Sequence, residues 1–201
     1  MKDLCVWFVA ISSIFFGSCY AFQIWKEKAD PTISTWIIFL VGCGLSFLTY
    51  IGAENHDIKS GVLNTVDLVY IVIILLAIIL WGKREVRFKP FEKWYLVGAT
   101  VIVLYGFATN NLWNSNVLTQ VLMSIAYMPM FHKIITLKKN TESYFGWMPG
   151  IFNGLVALYP AIHDGNALSV IYVSRSLFFS LATVLLMSYY QLRAKVAASI
   201  L

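Results

Sequence analysis

The chain has 201 residues, of which 59% are hydrophobic and 12% charged, with a formal net charge of +5, against about 25% charged in an ordinary soluble domain. That balance excludes a typical soluble enzyme, a disordered chain and a collagen-like repeat, and three cysteines do not make a secreted disulfide scaffold. A spanning helix takes about 20 apolar residues, so seven such helices use about 140 and leave no room for a separate aqueous domain.

Apolar runs occur at Leu4 to Trp25, Ile33 to Ala53, Val62 to Trp81, Trp94 to Thr109, Val117 to Thr136, Phe145 to Ile162 and Ala167 to Tyr190. Each predicts a helix. Stretches such as Ile71 to Leu80 are continuously apolar and lack the alternation of a barrel strand. The expected fold class is therefore an all-α integral membrane protein with seven transmembrane helices. The fourth run is the shortest, and Pro90-Phe-Glu-Lys-Trp-Tyr before it reads as an interfacial approach with aromatic anchors. Cys5, Cys19 and Cys43 fall within the runs and read as small buried hydrophobes. Small residues before Cys19 resemble a lipoprotein signal, but the apolar run continues through Tyr20 to Trp25.

The basic residues orient the chain. With loops assigned alternately to two sides, one side receives Lys26, Lys28, Lys83, Arg84, Arg87, Lys89, Lys93, Lys133, Lys138, Lys139, Arg193 and Lys195. The other receives Lys2 and Lys59, and the remaining cation, Arg175, lies inside an apolar run. This asymmetry predicts an outside N-terminus and a cytoplasmic C-terminus in a cell membrane. No basic stripe lies on a soluble module, so the partners expected are the lipid bilayer and a small polar solute, not nucleic acid. The sequence leaves homo-oligomerisation open.

A shift of 109 positions aligns Phe22 with Phe131, Thr32 with Thr141, Ser34 with Ser143, Tyr50 with Tyr159, Ser60 with Ser169 and Leu68 with Leu177. The hydropathy boundaries move with the shift: runs one to three fall on runs five to seven, and the fourth is left over. This is a parallel repeat whose odd linker helix restores the orientation. The parts are residues 1–81, a linker over 82–114, and residues 115–201.

Within the second repeat, Ser124-Ile-Ala-Tyr-Met-Pro-Met-Phe-His-Lys precedes a basic loop bearing Thr141 and Ser143, followed by Asn153-Gly154 and Tyr159. The third run carries Asn64, Asp67 and Tyr70. These stretches and the three-one-three plan resemble the SWEET and PQ-loop transporter superfamily. The chain departs from that pattern in lacking a proline near Tyr20 and in following Pro129 with Met130, not glutamine. The resemblance implies a sugar-like solute first. The vitamin-carrying nicotinamide riboside carriers share the plan, so vitamins and amino acids stay open as cargo.

An unpaired charge in a bilayer costs about 2.5 to 3.5 kcal/mol or more. Asp67 lies about seven residues into its run and Arg175 about nine, hence roughly 10 and 13 Å below the outer end. The matched depth predicts that they face one interior space, either as an ion pair locking two halves together or as a border of the solute path. Asn153 lies near the midplane, where an amide serves a solute or bonds a neighbouring helix. Asn64 and Ser174 are further candidates for a polar lining. Pro129 and Pro149 interrupt the fifth and sixth runs and are candidate hinges. His56, His132 and His163 are not spaced as metal ligands. No phosphate loop or nucleophile motif occurs, so no metal, cofactor or catalytic residue is expected, and the chain is read as no enzyme. The leading expectation is a facilitator working by alternating access around a midplane site. The alternative is a non-transporting receptor or assembly protein on the same bundle.

Overall fold

A computed structural model describes residues 1–31, 33–53, 57–82 and 90–200. Lys83, Arg84, Arg87 and Lys89 of the charge argument, Thr32 of the repeat, and His56 lie outside the described residues. All regular structure among the described residues is helical: α1 (Lys2–Trp25), α2 (Ile33–Gly52), α3 (Val62–Trp81), α4 (Pro90–Thr109), α5 (Leu112–Ile125), α6 (Met128–Leu137), α7 (Tyr144–His163) and α8 (Ala167–Ile200).

Local chemistry sets the boundaries. The Asn111 side chain accepts a bond from the Asn114 amide at 3.0 Å and starts α5, and the Ser143 hydroxyl accepts from Phe145 N to start α7. Gly165, at φ 61°, makes the left-handed turn into α8. The single run expected over Val117 to Thr136 is broken into α5 and α6. Ala126 and Tyr127 at the break keep right-handed helical angles, and Phe131 N still bonds to Tyr127 O at 3.0 Å. The two segments are therefore one interrupted helix. Pro129, in the first turn of α6, has no N–H for the Ile125 carbonyl four residues earlier, which is the covalent reason for an interruption here.

Five helices are long and apolar enough to cross a membrane: Lys2–Trp25, Thr35–Gly52, Val62–Trp81, Tyr144–His163 and Ala167–Ala194. Their outward faces carry large apolar side chains, among them Trp7, Ile11, Leu76 and Phe178, each more than half exposed. Such a surface is compatible with lipid and marks the protein as membrane-embedded.

Helix α1 packs against α3 and α7, α2 against α3 and α5, α7 against α8, and α5 against α8, while α4 packs against α5 and α2. The α7–α8 contact is close: a Cβ on Gly150 would collide with the Ser180 hydroxyl, and one on Gly154 would stand 2.7 Å from Leu177 Cγ. A core of aromatic rings fills one end of the bundle. Trp36 and Trp147 have centroids 6.3 Å apart, Tyr127 lies 5.6 Å from Trp147, and Tyr127 stacks on Phe179 at 4.7 Å.

Candidate functional site

Between α1, α2, α3, α5, α7 and α8 lies a cavity of about 60 Å³. That holds a few waters and is well under the about 150 Å³ at which an engineered cavity takes benzene. Its polar wall is Ser13, Asp67, Arg175, Ser176 and Ser180, and its aromatic wall is Trp36, Phe39, Tyr70, Tyr127 and Trp147. Hydrogen-bonding groups thus face flat apolar rings across a small space.

Asp67 and Arg175 both reach this cavity, as their matched depth predicts, but they do not form a direct ion pair. Tyr172 of α8 stands between them. Its hydroxyl donates to Asp67 Oδ2 at 2.8 Å, and its ring lies 4.9 Å from the guanidinium carbon of Arg175. Because the phenol proton is given to Asp67, the Cys43 thiol, 3.4 Å from the same oxygen, is the donor in that contact. Arg175 Nε donates to Gln120 Oε1 at 3.0 Å, whereas its buried Nη1 has no partner.

Gln120 connects this group to a second polar network. Its amide nitrogen donates to Ser46 Oγ at 2.9 Å, and Asn64 Nδ2 donates to the same oxygen at 3.0 Å. Asn116, one turn before Gln120, donates to the Ser46 carbonyl at 2.8 Å and to Thr49 at 3.0 Å. Asn64 is therefore buried beside the cavity and not on its wall, tied to Arg175 through Ser46 and Gln120, with its Oδ1 unpartnered.

The other expected residues separate. Asn153 has both ends of its amide engaged by α1: Nδ2 donates to Ser13 Oγ at 2.7 Å, and Oδ1 accepts from Ser12. It bonds helix to helix, and Ser13, not Asn153, faces the cavity. Ser174 lies on the exposed side of α8, because adjacent helical residues point about 100° apart. The α8 serines that share the cavity with Arg175 are Ser176 and Ser180. Pro149 is buried on the cavity wall within α7. It lacks the N–H that the Phe145 carbonyl needs, and the Tyr70 hydroxyl donates to the Phe145 and Gly146 carbonyls, 3.0 Å from each.

Among the described residues, polar contacts join the helices at both ends of the bundle. At the end holding the chain's N-terminus, Lys2 pairs with Asp57 at 2.5 Å and with Asp164, and Ser60 Oγ lies within hydrogen-bonding distance of both carboxylates. Tyr50 donates to the Asp57 carbonyl at 2.7 Å and accepts from Asn166 at 2.9 Å, joining the α2–α3 and α7–α8 connections. The hydrogen bond from Lys2 holds both Asp57 and Asp164 below the usual carboxylate range. At the opposite end, beyond the aromatic wall, the fully buried Tyr20 donates to Glu142 at 2.9 Å. Burial raises the Glu142 carboxyl above its ordinary value, partly offset by that bond and by the charge of Lys133.

Sequence reasoning missed Tyr172, Gln120, Asn116, Ser46 and Cys43. Asn116 and Gln120, two amides spaced by four inside an apolar run, were a readable signal of one polar helix face. Comparison of the chain with models of protein families, with curated proteins and with solved structures returns no significant match.

Proposed function

We propose that the protein is a carrier for a small polar solute, working by alternating access around the cavity that Asp67 and Arg175 border. The observation that carries this reading is a small cavity, part polar and part aromatic, that lies between an ion-pair cluster at one end of the bundle and a cluster of aromatic rings at the other. A polar chamber between two sets of end contacts that can break in turn is the arrangement an alternating-access carrier needs. A purely structural bundle gains nothing from a buried arginine bordering empty space.

In this reading the chain spans the membrane seven times, with the N-terminus outside and the C-terminus in the cytoplasm. Helices α1 to α3 and α5 to α8 form two parallel three-helix repeats, α5 and α6 counting as one helix and α4 as the linker. The packing supports the repeat: under the shift of 109, α1 corresponds to α5 and α2 to α7. The contacts α1 with α7 and α5 with α2 are then the same contact made twice. Pro149, on the cavity wall, and the Pro129 interruption are the hinges. The cycle needs no catalytic residue and no cofactor, and the superfamily resemblance puts a sugar-like solute first.

Counterflow uptake in proteoliposomes, across labelled sugars, amino acids and vitamins, tests the reading. Accelerated exchange of one solute class, lost in Arg175→Ala with the protein still folded, is the expected result. A second reading, a non-transporting receptor or assembly protein, draws on the small volume of the same cavity. Saturable binding of a panel member without any exchange selects it.

A further inference from the structure

Arg175 is 9% exposed, lines the cavity, and touches no carboxylate. A guanidinium presents five donors in a planar fork. Here Nε is used by a neutral amide oxygen, one face is covered by the Tyr172 ring, and the buried Nη1 is without a partner. The one carboxylate on the same wall, Asp67, is engaged by the Tyr172 hydroxyl instead. A buried cation without a contacting anion is costly, and an oxygen anion that reaches the fork relieves that cost.

The carrier reading supplies the missing group, and the following rests on it. We infer that the solute carries a carboxylate, which docks on the unpartnered side of the Arg175 guanidinium next to the Ser176 and Ser180 hydroxyls. Arg is the side chain suited to a planar bidentate acceptor, and Ser176 and Ser180 on the same cavity wall offer hydroxyl donors. The aromatic wall opposite takes the rest of a small molecule by ring contact. A neutral sugar brings no anion to the fork and leaves the arginine uncompensated. The site thus selects an acid over its neutral analogue, whether that acid is a sugar acid, a simple monocarboxylate or an amino acid.

The test uses the full chain in two assays. Equilibrium binding to detergent-purified protein, read by isothermal calorimetry, compares D-gluconate with D-glucose, lactate with glycerol, and N-acetyl-L-alanine with the neutral N-acetyl-L-alaninamide. Counterflow in proteoliposomes uses the same six probes. At least one acid is expected to bind about tenfold or more tightly than its neutral partner, since a hydrogen bond to a charged group is worth about 1.5 to 3 kcal/mol. Which acid binds identifies the source of the carboxylate. Arg175→Gln removes the preference, and Arg175→Lys, which keeps the charge without the fork, retains part of it. Equal or tighter binding of the neutral member in every pair overturns the inference, as does binding of no acid. Acid-selective binding without counterflow of any probe leaves the inference standing and overturns the carrier reading. Counterflow of glucose unaffected by Arg175→Gln does the reverse.

Discussion

Tyr70 of α3 donates its hydroxyl to the backbone carbonyl of Phe145 in α7 at 3.0 Å, the carbonyl that Pro149 leaves without its helical partner. A proline in mid-helix frees an acceptor, and a tyrosine on the facing helix takes it. The freed carbonyl of α7 and its attachment to α3 are therefore one device. Tyr70→Phe is expected to cost about 1 kcal/mol in the native protein and distinctly less in a Pro149→Ala background, where the backbone N–H restored by that substitution satisfies the Phe145 carbonyl. A double-mutant cycle of unfolding in detergent measures the difference; equal losses in both backgrounds contradict the device.

The close approach of α7 to α8 at Gly150 makes a second prediction. A methyl group there meets the Ser180 side chain and has nowhere to go. Gly150→Ala is expected to destabilise by about 1 to 3 kcal/mol, as overpacking does. Ser180→Gly in the same chain removes the colliding atoms and recovers most of the loss, read from the thermal midpoints of the three variants.

Tyr172 holds Asp67 and Cys43 while it covers Arg175. Tyr172→Phe keeps the ring under the guanidinium and deletes the hydroxyl, which leaves the carboxylate short of a donor. The expected loss is about 1.5 to 3 kcal/mol of stability, and Asp67→Asn added to it reduces the loss because an amide tolerates a missing donor better than a charge does. Thermal unfolding of both variants checks the order; a double variant less stable than Tyr172→Phe goes against it.

The Lys2, Asp57 and Asp164 lock has a definite pH dependence. Both carboxyls titrate below their unfolded values because Lys2 donates to them. Their contribution is thus present above the unfolded carboxylate range near 4 and is lost only as pH falls through the lower folded values. The lock is expected to hold unchanged from pH 8 to pH 5 and to open in more acid solution. Because Lys2 and its partners are partly exposed, it weakens with added salt. Thiol labelling of a Ser60→Cys variant against pH and ionic strength follows its opening. Glu142 has the opposite sign: its raised value favours the protonated form in the folded protein. Stability therefore falls as pH rises through that value, and Glu142→Gln is expected to flatten the slope.

Much of this architecture was legible in the sequence because hydropathy reports helix length directly. The run Val62 to Trp81 coincides with α3, and Ile33 to Ala53 misses the end of α2 by one residue. The shared depth of Asp67 and Arg175 was legible for the same reason, since rise per residue is fixed. What depth cannot give is azimuth and partner. Ser174 sits beside Arg175 in sequence but on the outer face of α8, and Asn153 spends its amide on α1. The screen between Asp67 and Arg175 was hidden because a tyrosine in an apolar run carries no charge or spacing signal. Its role comes only from the meeting of α3, α2 and α8.

The central claim is that the cavity opens in turn to each side of the membrane, and two-sided labelling tests it most directly. A Ser180→Cys variant, with Cys5, Cys19 and Cys43 replaced by alanine, is reconstituted and exposed to a membrane-impermeant thiol reagent from one face at a time. The account predicts reaction from both faces, with the rate from the N-terminal face rising when Lys2→Gln breaks the lock. Reaction from one face only, with the lock intact or broken, contradicts it.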